Sequence, residues 1–145
     1  MSYNEQYRQK LISGEKAAGL IKSGDKLVYA GFLLEPEFTD GFIAKRIENK
    51  ELYDLSLLTM CYPGFCLAAA ADPKREHLVY NNAFFSPGDR ILHEMGTCDH
   101  VPSLFSEIPT YFENQEPFDI LYLRTAPRMQ VGFLILVLLL LLSVN

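Results

Sequence analysis

Three carboxylates, Glu35, Glu37 and Glu107, stand beside segments that read as loops. A desolvated carboxylate can attack an acyl group as a nucleophile. A solvated or loop-capping carboxylate is the plainer reading of each. Asp89 and Arg90 open a predicted helix after Ser86-Pro87. An aspartate there complements the helix dipole. Arg90 could hold a substrate phosphate or simply form a surface pair with Asp89. Cys98, Asp99 and His100 are consecutive, but two soft ligands without a second pair fall short of a metal-site spacing. Cys61 and Cys66 flank Pro63-Gly64 and read as structural thiols. His77 and His93 are isolated, as surface or hydrogen-bonded histidines usually are. Walker, GxGxxG, HExxH and GxSxG patterns are absent from the sequence.

The elements that must position these groups alternate. Residues 3–12 have helical composition. Ser13 offers an N-cap for a second helix with Ala17, Leu20 and Ile21 on one face, and Gly24 suits the left-handed residue that stops it. KLVYAG (26–31) reads as a strand and GFLLEPE as a loop, because Pro36 disfavours helix at Glu35. Thr39 can cap DGFIAKRIENK. LSLLTMCY (55–62) reads as a buried strand closed by Pro63-Gly64, FCLAAAAD as a short helix and HLVYNNAFF (77–85) as a strand. Ser86-Pro87 then opens a helix to Gly96, a loop runs from Cys98 to Pro102, SLFSEI is a short helix ended at Pro109, and FDILYLRTA (118–126) is a last strand.

Strand and helix in alternation predict an α/β fold with a largely parallel sheet and covering helices on both faces. Ligands of such sheets bind outside the carboxyl ends of the strands. Those ends are GFLLEPE, YPGF, FFSPGD and TAP. They nominate Gly31, Glu35, Pro36, Pro63, Gly64, Ser86, Asp89 and Arg90 as substrate-binding candidates.

The chain has 145 residues, a net charge of -5 and three cysteines. That length suffices for one domain. The acidic balance argues against nucleic acid, and the odd cysteine number without CxxC suits reduced thiols and a cytoplasmic protein. The amino terminus does not have the pattern of a secretory signal. All charged residues lie at or before Arg128, and Val131–Leu142 carries no hydrogen-bonding side chain. A membrane-spanning helix wants about 20 apolar residues, and no Lys or Arg follows this run as an anchor. An uncovered run of this kind favours oligomers.

Five segments, in order, resemble the acetyl-CoA hydrolase/transferase family. The nearest branch holds butyryl-CoA:acetate, succinyl-CoA and 4-hydroxybutyrate CoA-transferases. SGDKLVY (23–29) resembles its SGD opening, and DGFIAKR (40–46) its ALAKR helix. ADPKREHLVYNNAFFSPGDRILHEMG (71–96) is similar to its DPxxEH strand and FSGxDRxxHxxG turn and helix. VPSLFSEIPTYF (101–112) resembles PxxxSExPxY, and DILYLRTAP (119–127) the strand leading into PMDxxGFFNFG. Glu35 and Glu37 flank Pro36 where the family tends to be small or neutral.

The resemblance implies the amino-terminal lobe of a CoA-transferase over residues 1–127. Such enzymes move coenzyme A from an acyl-CoA to a short carboxylate such as acetate, as homo-oligomers without metal or redox cofactor. A glutamate attacks the thioester and carries the CoA as a glutamyl thioester. The family's catalytic glutamate and glycine-rich CoA-binding stretch match no residue here, so no catalytic residue is assigned and the chain alone is expected to be inactive. Residues 128–145 read as an out-of-frame tail. If a family-like segment Pro-Met-Asp-Ala-Ser-Gly-Phe-Phe-Asn-Phe-Gly loses one base from its Met codon, suitable codons then spell Pro127–Val137 as they stand. Two alternatives remain at this stage: a non-enzymatic α/β module with a membrane- or partner-binding tail, and one subunit of a split CoA-transferase.

Overall fold

The computed structural model describes residues 3–114 and 117–125. The apolar run after Pro127 lies outside the described residues. Helix α1 spans Tyr3–Lys10 and α2 Gly14–Ala18. Strand β1 (Lys26–Tyr29) leads into a single 3-10 turn (Phe32–Leu34) and α3 (Glu37–Glu48). Strand β2 (Leu55–Thr59), α4 (Leu67–Ala70), β3 (Leu78–Asn82) and α5 (Pro87–Glu94) follow. A two-residue β4 (Asp99–His100), a 3-10 turn (Phe105–Glu107), α6 (Ile108–Asn114) and β5 (Ile120–Tyr122) complete the order.

Among the described residues all strand pairings are parallel, in the order β4-β3-β2-β1-β5. That order explains where the helices lie. The chain steps in one direction from β1 to β4, so right-handed crossovers put every connecting helix on one face. The step from β4 back to β5 runs the other way and sends α6 to the opposite face. The side chains agree. Leu27 and Tyr29, Leu55 and Leu57, and Leu78 and Tyr80 alternate into one core with Ala18, Ile21, Ile43, Ile47, Ala68 and Leu92 of the helices. Ile108 of α6 belongs to a separate cluster with Met60 and Ala83. The sheet is therefore not evenly covered on both faces. Val79, on the α6 side, remains 44% exposed.

Local chemistry sets the boundaries. Ser13 caps α2 by accepting the Lys16 N–H at 3.2 Å, but α2 stops at Gly19, short of Gly24. Gly24 instead takes φ +90° in the turn before β1. Helix α3 begins before Thr39, because the Pro36 carbonyl accepts the N–H groups of Thr39 and Asp40 at 2.9 and 3.0 Å. Pro109 does not end a helix; it sits in the first turn of α6, where its missing N–H costs nothing. The stretch expected as a loop at Cys98 to Pro102 supplies β4, since Asp99 and His100 pair with Asn81 and Asn82.

Candidate functional site

The carboxyl ends of the strands are locked to one another by backbone close approach. After β1, a Cβ on Gly31 would stand 2.0 Å from the Met60 carbonyl oxygen, so only glycine lets the two loops meet. Phe32 and Cys61 then both turn left-handed, at φ 59° and 51°, and the Phe32 N–H donates to the Cys61 carbonyl at 3.0 Å. Two bulky or thiol-bearing residues in that conformation store strain of about 1–3 kcal/mol each. The Cys61 N–H continues the ladder to the Phe84 carbonyl after β3, at 3.0 Å. A Cβ on Gly88 would meet the Gly64 carbonyl oxygen at 2.4 Å, which seats the start of α5 on the loop after β2.

Glu35 joins this frame through its side chain. One carboxylate oxygen accepts the Gly64 N–H at 3.2 Å. Half-burial raises its proton affinity above the ordinary glutamate value; the Gly64 hydrogen bond opposes that rise and nearby Glu37 adds to it. Of the other candidates, Pro36 is buried and starts α3, and Pro63 is exposed. Ser86 and Asp89 are buried and form a reciprocal capping box at α5, at 2.9 and 3.3 Å. Asp89 also accepts the Tyr80 hydroxyl at 2.7 Å. Arg90 is exposed on α5. The frame thus brings Gly31, Glu35, Gly64, Ser86 and Asp89 together and leaves Arg90 outside it.

Strands β1 and β5 are neighbours although every other strand lies between them in sequence, so the chain reverses direction there. This is the topological switch point, where an α/β sheet opens a crevice. A cleft of about 530 Å³ occupies it. Glu35, Pro36, Glu37, Phe38 and Thr39 line one side; Tyr122, Leu123 and Arg124 line the other. The Arg124 N–H donates to the Leu34 carbonyl at 2.7 Å and ties the β5 end to the β1 loop. Sequence reasoning named the TAP end of the last strand as a place to look but missed Arg124. A lone cation at a strand end was the available signal; the adjacency of β5 to β1 was not.

The remaining reactive groups are engaged elsewhere. Asp40, fully buried at the start of α3, accepts the Tyr29 hydroxyl at 3.0 Å and the N–H groups of Leu67 and Ala68 at 2.6 and 3.3 Å, and so holds the start of α4. Cys66 and Cys98 are buried, and burial pushes the Cys98 thiol up to about 12. Asp99 pairs with Arg75, and the His100 ring packs 4.6 Å from that of Phe85. Among the described residues no group of three metal-ligating side chains converges. None of their helices is long and apolar enough to cross a membrane.

This geometry can be set against known proteins. The sequence model of the acetyl-CoA hydrolase/transferase N-terminal domain matches residues 1–139. The chain belongs to the acetyl-CoA hydrolase/transferase family. The match runs beyond Pro127, where the resemblance in sequence motifs stops. The butyryl-CoA:acetate CoA-transferase of Anaerostipes caccae is 27% identical over 92% of this chain and 30% of its own length. The succinyl-CoA:cyclohexane-1-carboxylate CoA transferase of Geobacter metallireducens is 29% identical over 91% of this chain and 29% of its own. The chain thus spans under a third of the length of these curated relatives. The fold matches RipA from Yersinia pestis with a TM-score of 0.78 at 21% identity, over 92% of this chain and 33% of RipA.

Proposed function

We propose that this chain is the amino-terminal lobe of an acyl-CoA:carboxylate CoA-transferase and supplies one wall of its substrate site. The observation that carries the reading is the cleft at the β1–β5 switch point, framed by the braced loops of a CoA-transferase-family domain. In the complete enzyme a glutamate outside this chain attacks the acyl-CoA carbonyl and releases CoA thiolate, leaving an acyl-glutamyl anhydride. The thiolate then attacks the glutamyl carbonyl, frees the acyl group as a carboxylate and leaves a glutamyl-CoA thioester. The acceptor, a short carboxylate such as acetate, takes the CoA by the reverse sequence. The braced loops fix the substrate against that nucleophile, and positioning of this kind can supply several kcal/mol of a barrier. We further read residues 128–145 as out of frame.

The test is a DNA read across codons 125–132 and past the stop, followed by expression of both forms. A one-base correction is expected to open a long frame carrying a glutamate and a glycine-rich stretch. The corrected protein should exchange CoA between butyryl-CoA and acetate and form a hydroxylamine-sensitive CoA adduct, whereas the 145-residue chain should do neither. Immediate closure of the other frames would overturn the tail reading. CoA exchange by the 145-residue chain alone would overturn its assignment as an incomplete lobe.

A further inference from the structure

The cleft at the switch point carries an uneven set of charges. Glu35 and Glu37 stand on one side and Arg124 on the other, between apolar surfaces from Pro36, Phe38 and Leu123. These charges differ in weight. Glu37 and Arg124 both act on Glu35, but they are exposed, and solvent weakens the pull of an exposed charge. Glu35 is half-buried, and its carboxylate is pinned by the Gly64 N–H at 3.2 Å. Its position is set by the glycine frame, and its side chain lines the cleft. Among the described residues no ion pair joins it to Arg124. The fixed, partly desolvated charge in this cleft is therefore negative.

We propose that the cleft receives the far end of a short acyl group that terminates in an ammonium, and that Glu35 determines this specificity. The proposal rests on reading the cleft as part of an acyl-CoA site. An alkyl chain lies against Phe38 and Leu123 while the ammonium donates to the Glu35 carboxylate. A second carboxylate at the same place meets the fixed negative charge, with only an exposed guanidinium across the cleft to offset it. The volume of about 530 Å³ is of the size that binds small ligands.

Binding can be read without catalysis, by an amide-resolved NMR titration of the full chain. The probes are butylammonium, 1-butanol and butyrate, and Gly64 is the reporter. Butylammonium is expected to shift the Gly64 signal saturably and to bind at least about fivefold tighter than butyrate, the factor from a charge contact near 4 Å in water. Glu35→Gln should remove most of that preference, and Glu37→Gln should leave it within about twofold. Butyrate binding as tightly as butylammonium, or a preference that survives Glu35→Gln, overturns the proposal. If Glu35→Gln does not fold, the wild-type chain decides. The preference must fade as pH falls through the raised Glu35 value, with Glu37, Arg124 and Asp89 as the charges facing it. A preference that persists at that pH overturns the proposal as well. Transferase activity without this binding, or this binding without activity, separates the proposal from the functional reading beneath it.

Discussion

The two ends of the sheet are held by different chemistry. At the amino ends, side-chain carboxylates collect backbone N–H groups. Asp72 accepts from Glu76, His77 and Leu78 at 3.0, 2.7 and 2.8 Å; Asp25 accepts from Lys22 at 2.7 Å and Asp119 from Lys26 at 2.8 Å. The left-handed residues there are Gly24, Lys50, Asp54, Arg75 and Gly96, all exposed. At the carboxyl ends the loops meet backbone to backbone, through Gly31 on Met60 and Gly88 on Gly64. The left-handed residues there are Phe32 and Cys61. An end closed by glycine contacts holds its loops rigid beside an open cleft, which is what a binding edge requires.

Substituting the same residue type at each end gives the largest expected difference. Gly31→Ala places a methyl 2.0 Å from a carbonyl oxygen, and backbone must move to admit it. Loss of cooperative folding, or destabilisation above about 3 kcal/mol, is expected from overpacking of this severity. Gly24→Ala meets nothing within 4 Å and is strained only by its φ of +90°. About 1–2 kcal/mol is expected there. Thermal unfolding of both variants checks this, and equal losses would erase the distinction between the two ends.

A smaller effect probes the amino end by its own chemistry. Asp72→Ala strands three N–H groups at the start of β3, two of them in buried hydrogen bonds. About 2–3 kcal/mol is expected. The carboxyl-end loops should keep their arrangement, so the Gly64 amide signal should stay in place while stability falls. Movement of that signal would mean that the two ends share one cooperative brace.

Much of this was legible from residue order. Ser13, Ser86 and the apolar runs fixed most elements, because caps and periodicity act locally. Thr39 misled, since a proline carbonyl three residues earlier can begin a helix without a side-chain cap. Pro109 misled because the first turn of a helix and its end look alike around a proline. The cleft was half legible. Glu35 could be nominated from its loop, but Arg124 joins it only through the β1–β5 pairing, and no local signal encodes strand order. The one-sided core was hidden for the same reason, as crossover direction decides which face each helix covers.

The subtlest contrast concerns Asp40, which lies behind the glycine-braced edge yet works like the amino-end carboxylates. Burial raises its proton affinity, and the hydrogen bonds from Leu67, Tyr29 and Ala68 only partly oppose that rise. A carboxyl group whose folded value is raised favours the folded state most when protonated. Its contribution is fully present below the ordinary aspartate value of about 3.9 and is lost as pH rises through the higher folded value. The amide introduced by Asp40→Asn has no such titration. The melting temperature of the wild type minus that of Asp40→Asn should therefore increase as pH falls across that window and level off below it. Titrations common to both proteins cancel in the difference. A difference that shrinks on acidification would mean that the three donors outweigh burial, so that Asp40 holds α4 as a stabilised anion.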